Sequence, residues 1–167
     1  MKILEGYDVT GIVAVGTHPT TNQLLVVREP DNKPAFFKTK GQISVPMGTI
    51  ELGETPEQTL IHELMDETGN NFLDKVIIGI LSFIARDGRK VGLLVYAVRL
   101  AEDCSAKNFA HFMDRQEFLA LPESQVRIKA HEAYYLFRIA EKLTNNDIFG
   151  KKDLVEKFRQ SRKGTHH

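Results

Sequence analysis

The 167-residue sequence predicts an α/β fold. Three observations carry it: short aliphatic or β-branched runs bounded by turn residues, one helix signalled at both ends, and a later stretch with apolar residues at helical spacing. With 42% hydrophobic residues there is enough apolar material for a real core, and the length suits a single domain over 1–167 with its core at about 8–145.

Residues 12–15 and 24–27 are apolar runs separated by a polar stretch at 17–22, and they predict two early strands joined as a hairpin. From 29 to 41 the chain is polar, with Pro30, Pro34 and three lysines around Phe36 and Phe37, which marks a loop. The clearest element is a helix over 56–68. Thr55 supplies a capping hydroxyl, Pro56 stands first in the helix, Gln58 follows three residues after the cap, and Gly69 ends it. Runs at 76–85 and 91–100 flank the turn Arg86-Asp87-Gly88-Arg89 and predict a hairpin of two substantially buried strands. After Pro122, residues 126–143 carry Ala130, Ala133, Tyr134, Phe137 and Ala140 at helical spacing, a helix suited to covering one face of the sheet. Residues 147–162 predict a short amphipathic helical extension using Leu154, Val155 and Phe158.

Lys plus Arg total 22 and Asp plus Glu total 22, so no overall basic excess draws the chain to nucleic acid or an anionic membrane. Cys104 is the only cysteine, which excludes an intramolecular disulfide framework and a cysteine-based zinc cluster and fits a cytoplasmic setting. Neither a secretory signal nor an apolar run of about 18 residues is evident, so no membrane is expected as a partner. His166 and His167, after Lys163-Gly164-Thr165, resemble the stub of a purification tag and are set aside.

The chemistry concentrates between Pro46 and Gly69. On the helix, Glu63, Asp66 and Glu67 fall in one arc, apart from an apolar face of Leu60, Ile61, Leu64 and Met65. Like charges three and four residues apart repel, so this cluster asks for a compensating cation. A hard divalent ion such as Mg²⁺, commonly shared between carboxylates and substrate phosphates, is the natural one. The plain alternative is a solvated acidic face. Gly48 and Gly53 tip the balance, because they permit tight turns and close backbone approach just before the helix, and Glu54 stands directly before the cap.

This segment resembles the Nudix box, G-x5-E-x7-R-E-U-x-E-E-x-G-U, where U is aliphatic. Gly48, Glu54, Glu63, Leu64, Glu67 and Gly69 match outright and Asp66 is a conservative change, while His62 stands in the arginine place and Asn70 in the last aliphatic place. The resemblance implies an α/β/α sandwich with a mixed sheet. It implies a hydrolase that uses Mg²⁺, or Mn²⁺ as a substitute, to cleave a diphosphate linkage in a nucleoside-diphosphate-linked substrate by water attack on phosphorus. Glu63, Asp66, Glu67 and the backbone carbonyl of Met47 would hold metal. Glu63 or Glu67 would serve as base, and Gly48 and Glu54 would meet the substrate.

In Nudix enzymes the base can instead lie on a later loop, where Asp114, Glu117, Glu102 and Asp103 are candidates. Phe36, Phe37 or Tyr7 could stack on a base, and Lys38, Lys40 or Arg86 could meet phosphate. The departures at His62 and Asn70 keep a second expectation open, a Nudix-like nucleotide-binding module with weak or no turnover. An RNA-processing enzyme of the same fold is disfavoured by the balanced charge, and a homodimer stays open.

Overall fold

The computed structural model describes residues 2–150. Its strands are β1 (Val9–Val15), β2 (Leu24–Arg28), β3 (Ile43–Ser44), β4 (Met47–Thr49), β5 (Phe72–Ile84), β6 (Lys90–Leu100) and β7 (Ala110–Met113), and its helices are α1 (Pro56–Thr68), α2 (Arg115–Ala120) and α3 (Ala130–Leu143). A four-stranded sheet runs β4-β1-β6-β5 and a three-stranded sheet β3-β2-β7. The first sheet is mixed: β1 pairs antiparallel with β4 and parallel with β6, while β5 and β6 are antiparallel.

Strand alternation distributes the core. Val13 and Val15 pack on one side of the sheet with Tyr134 and Phe137 of α3, and Ile12 and Ala14 pack on the other with Leu60 and Leu64 of α1. Both faces of the mixed sheet are therefore covered by helix, which is the expected sandwich.

The early strands form where predicted, but they do not form a hairpin. Leu25 N–H still donates to Gly16 O (3.0 Å) and Thr17 bridges Leu24, after which the strands part into different sheets. Buried on both faces and flanked on both edges by β4 and β6, β1 has no edge left for β2. The later hairpin is present, although only β6 is deeply buried. β5 is an edge strand in which Ile78 alone is fully covered, while Leu73 and Ile84 are exposed. The final helix starts at Ala130 rather than 126, because Val126 bridges Ile43, Arg127 N–H donates to Ile43 O (2.9 Å), and Lys129 is left-handed at φ 70°. Of the helix expected over 147–162, residues 147–150 form a turn, and the rest lies outside the described residues. Among the described residues no helix is long and apolar enough to cross a membrane.

Candidate active site

α1 forms over the predicted span, and its ends explain why. Thr55 accepts from Gln58 N–H (3.1 Å) while the Gln58 side chain accepts from Thr55 N–H (2.9 Å), and Gly69 closes the helix in the left-handed region at φ 74°. Its rotation differs from the amphipathic expectation. Leu60 and Leu64 are fully buried, joined by Thr59 and Thr68, whereas Ile61 and Met65 are each 43% exposed. The threonine hydroxyls are satisfied by backbone, Thr59 on Thr55 O and Thr68 on Leu64 O. At about 100° per residue, turning Thr59, Leu60 and Leu64 inward carries Glu63 and Glu67 inward with them. The helix exposes two large apolar side chains and takes two carboxylates toward the interior.

Gly48 makes room for one of them. It lies opposite Ile12 in the β1–β4 ladder, and a Cβ at 48 would overlap Cγ and Cδ of Glu63. The glycine is thus a requirement of close approach between strand and helix. Ile50 N–H donates to Thr10 O and Ala14 N–H to Pro46 O, so by antiparallel alternation Met47 turns its carbonyl to the open edge of β4. The Met47 side chain is buried in the core on the α3 side.

Glu63 and Glu67 repel each other across one helical turn. Burial and the neighbouring Glu63 push Glu67 up to about 8, against a smaller opposing pull from Arg127 and Lys38. Glu63 is also raised, by burial and then by Asp66. Oε2 of Glu67 is buried with no partner. A buried carboxylate oxygen left open beside a second carboxylate is a good fit for a divalent cation, which would take the place of the proton they otherwise need. Glu63 and Glu67 could hold it, and the Met47 carbonyl at the open edge of β4 could join them. Asp66 is exposed on the rim, and among the described residues no three acidic, histidine or cysteine side chains form a ready cage.

Glu54 and His62 act on each other. Glu54 Oε1 accepts from Glu51 N–H and Thr59 Oγ1 (both 3.3 Å), and its Oε2 lies 3.0 Å from His62 Nδ1. The His62 hydrogen bond, then that of Glu51, holds the Glu54 carboxyl below its usual range. His62 therefore fastens the glycine loop to α1. Asn70 is buried and exchanges hydrogen bonds with the Ser105 backbone, accepting from its N–H at 3.1 Å and donating to its carbonyl. With Asn108 donating to Asp66 O (3.0 Å), it ties the β6–β7 connection to the end of α1.

These groups border a cleft of about 510 Å³ that Gly48, Glu54, Glu63, Asp66, Glu67 and Lys38 help to line. A slot of about 100 Å³ adjoins it, sharing Lys33, Lys38, Met47, Gly48 and Thr49 and adding Phe36, Phe83 and Arg127. The later acidic candidates lie elsewhere. Asp114 caps α2 through Gln116 and Glu117 N–H, and Glu117, Glu102 and Asp103 do not line the cleft. Tyr7 packs over Gly92, and Arg86 sits on the Phe37 ring at 5.1 Å, so neither faces the carboxylates. Lys40 also lies off the cleft. Two residues were not foreseen: Glu29, at the end of β2 and 8% exposed, and Arg127, its ion-pair partner at 3.9 Å. Neither belongs to a local pattern that a single sequence would reveal.

A mixed sheet between helices, with a glycine strand admitting carboxylates from a capped helix, defines a Nudix-type domain. The NUDIX domain family model matches residues 9–138, and the chain belongs to that family, a family of pyrophosphate-type hydrolases that generally use divalent metals and that also includes regulators such as NrtR. Among solved structures it is similar to a NUDIX hydrolase from Nitrosomonas europaea, with 19% identity, TM-score 0.64, and coverage of 79% of this chain and 89% of that one. It is also similar to the NUDIX domain of Shewanella oneidensis NrtR complexed with ADP ribose, with 15% identity, TM-score 0.62, and coverage of 83% and 90%. A third is the MutT protein from Methanosarcina mazei Go1, with 16% identity, TM-score 0.58, and coverage of 80% and 94%. At these identities the likeness shows the fold. No curated protein matches the chain in sequence.

Proposed function

We propose that the protein is a Mg²⁺-dependent hydrolase, with Mn²⁺ as a substitute, that cleaves a diphosphate linkage in a nucleoside-diphosphate-linked substrate by water attack on phosphorus. The observation that carries this reading is the inward rotation of α1, which places Glu63 against Gly48 and leaves a Glu67 oxygen buried without a partner. Such an arrangement destabilises the empty protein and is stabilised by a cation.

Glu63, Glu67 and the Met47 carbonyl would hold the ion, with Asp66 at the rim. Bound there, it would neutralise the diphosphate and lower the pKa of a water. The chain's own groups do the rest. Glu63 or Glu67 is the base of first choice. Lys38 lines both hollows and would meet phosphate. Gly48 keeps the approach open, and Glu54, braced by His62, fixes the loop that borders the substrate. The partner is then a nucleotide-like small molecule and the compartment the cytoplasm.

A second reading is nucleotide binding with weak or no turnover. It is motivated by His62, which engages Glu54 and leaves no guanidinium in the arginine place to brace the box carboxylates. Incubating the protein with Mg²⁺ or Mn²⁺ and a panel of nucleoside diphosphate derivatives in heavy-oxygen water decides between them. Hydrolysis requires solvent oxygen in the product phosphate and loss of turnover in excess chelator. Binding without product selects the second reading.

A further inference from the structure

Arg127 is held by its backbone and unsatisfied at its head. Its N–H donates to Ile43 O, which fixes the residue beside β3, and its side chain is 14% exposed. A guanidinium offers five N–H donors in a rigid fork. Nε of Arg127 is buried with no partner, and the nearest carboxylate, Glu29, stands at 3.9 Å, beyond hydrogen-bond length. Lys38, half-buried, lines the same slot and makes no ion pair among the described residues. Arg127 works against the charge of Lys38, and burial works against the charge of both. Two covered cations that share a hollow and lack close acceptors form a site that an anion would complete.

We propose that Arg127 and Lys38 form a phosphate clamp at the boundary between the slot and the carboxylate cleft, gripping phosphate oxygens directly while Glu63 and Glu67 serve the reacting linkage. The choice of phosphate rests on the diphosphate reading above. The slot, at about 100 Å³, falls below the 300–1,000 Å³ of pockets that engulf a drug-sized ligand, so it takes one end of a molecule whose remainder occupies the cleft. Glu29 keeps Arg127 in place at a distance that leaves the fork free, and an incoming phosphate replaces one long ion pair with short, charge-assisted hydrogen bonds.

The test uses the full chain and inorganic pyrophosphate in excess chelator, with affinity read by calorimetry at low salt. The parent binds without metal, Arg127→Gln and Lys38→Met each weaken binding at least tenfold, and Arg127→Lys recovers part of the loss. In turnover assays the same variants raise KM far more than they lower kcat. Thermal melting reports folding, and Lys38→Met, at a less covered position, carries the test should Arg127→Gln unfold. Equal affinity in parent and variants, or no metal-free binding by the parent, overturns the clamp. Arg127-dependent pyrophosphate binding without nucleotide turnover would keep the clamp and sink the hydrolase, and turnover with Arg127-independent affinity would do the reverse.

Discussion

Among the described residues two arginines, Arg115 and Arg127, lie in covered surroundings, and they are treated in opposite ways. Arg115 is saturated: Nε donates to the Tyr134 hydroxyl (2.7 Å), Nη1 to Asn22 Oδ1 (3.1 Å), and both terminal nitrogens to Glu141, while the plane lies over the Tyr134 and Phe137 rings at 5.4 and 5.5 Å. That network joins the start of α2, the β1–β2 turn and α3, and it leaves the guanidinium little to offer a ligand. Arg127 and the carboxylates near it are left open, with a loose pair to Glu29, an unpartnered Nε and an unpartnered Glu67 oxygen. A covered polar group with its partners in place stabilises structure. One without them costs stability until something binds.

The difference is broken most severely at Glu67. Glu67→Gln and Glu63→Gln should each lower turnover by at least about 10²-fold while leaving the melting temperature of the metal-free protein unchanged or higher. Near-normal turnover with a lowered melting temperature would make the carboxylate site a structural one like that of Arg115. The converse substitution, Glu141→Leu, strands Arg115. A loss of about 3 kcal/mol in denaturant unfolding is expected, with turnover per folded molecule retained.

The open site should also titrate. The Glu67 proton, normally lost near 4.5, is held to about 8 in the folded protein, so between those values the folded state binds the extra proton and metal-free stability declines as pH rises. Metal must displace that proton, so affinity for Mg²⁺ or Mn²⁺ should climb by up to about tenfold per pH unit from 6 toward 8 and then level off. Calorimetry in buffers of different ionisation heat measures the proton released, and a pH-independent affinity would remove Glu67 from the metal site. The smallest effect is assigned to Asn70→Ala, which unties Ser105 from the end of α1. About 1 kcal/mol of stability should be lost, and hydrogen exchange should rise in the β6–β7 connection.

Legibility followed the range of the interactions involved. The span of α1 was readable because both of its ends are set locally, by Thr55 with Gln58 and by Gly69. The rotation of that helix was not, since Ile61 and Met65 look as apolar as Leu60 and Leu64, and only packing against β1 shows which pair is buried. Likewise the β1 and β2 strands were visible, but their pairing depended on which edges β4 and β6 had already taken. The box supplied Glu63 and Glu67 by residue type and spacing. Glu29 and Arg127 are brought together by strand β2 and the α2–α3 connection, distant in the chain, with no spacing to announce them.

The β1–β4 ladder also makes the site sensitive to chain length. Gly48 faces Ile12 and Met47 faces Val13, and strand side chains alternate between faces. Deleting Gly48 would draw Met47 into its place, bringing a methionine side chain into the space that Glu63 occupies. The rest of the sheet, built on β1, β6 and β5, would keep its own pairing. That deletion would therefore silence the site in a protein that still folds, whereas the turn at Gly88, far along the other hairpin and with open space around it, should tolerate a change of length.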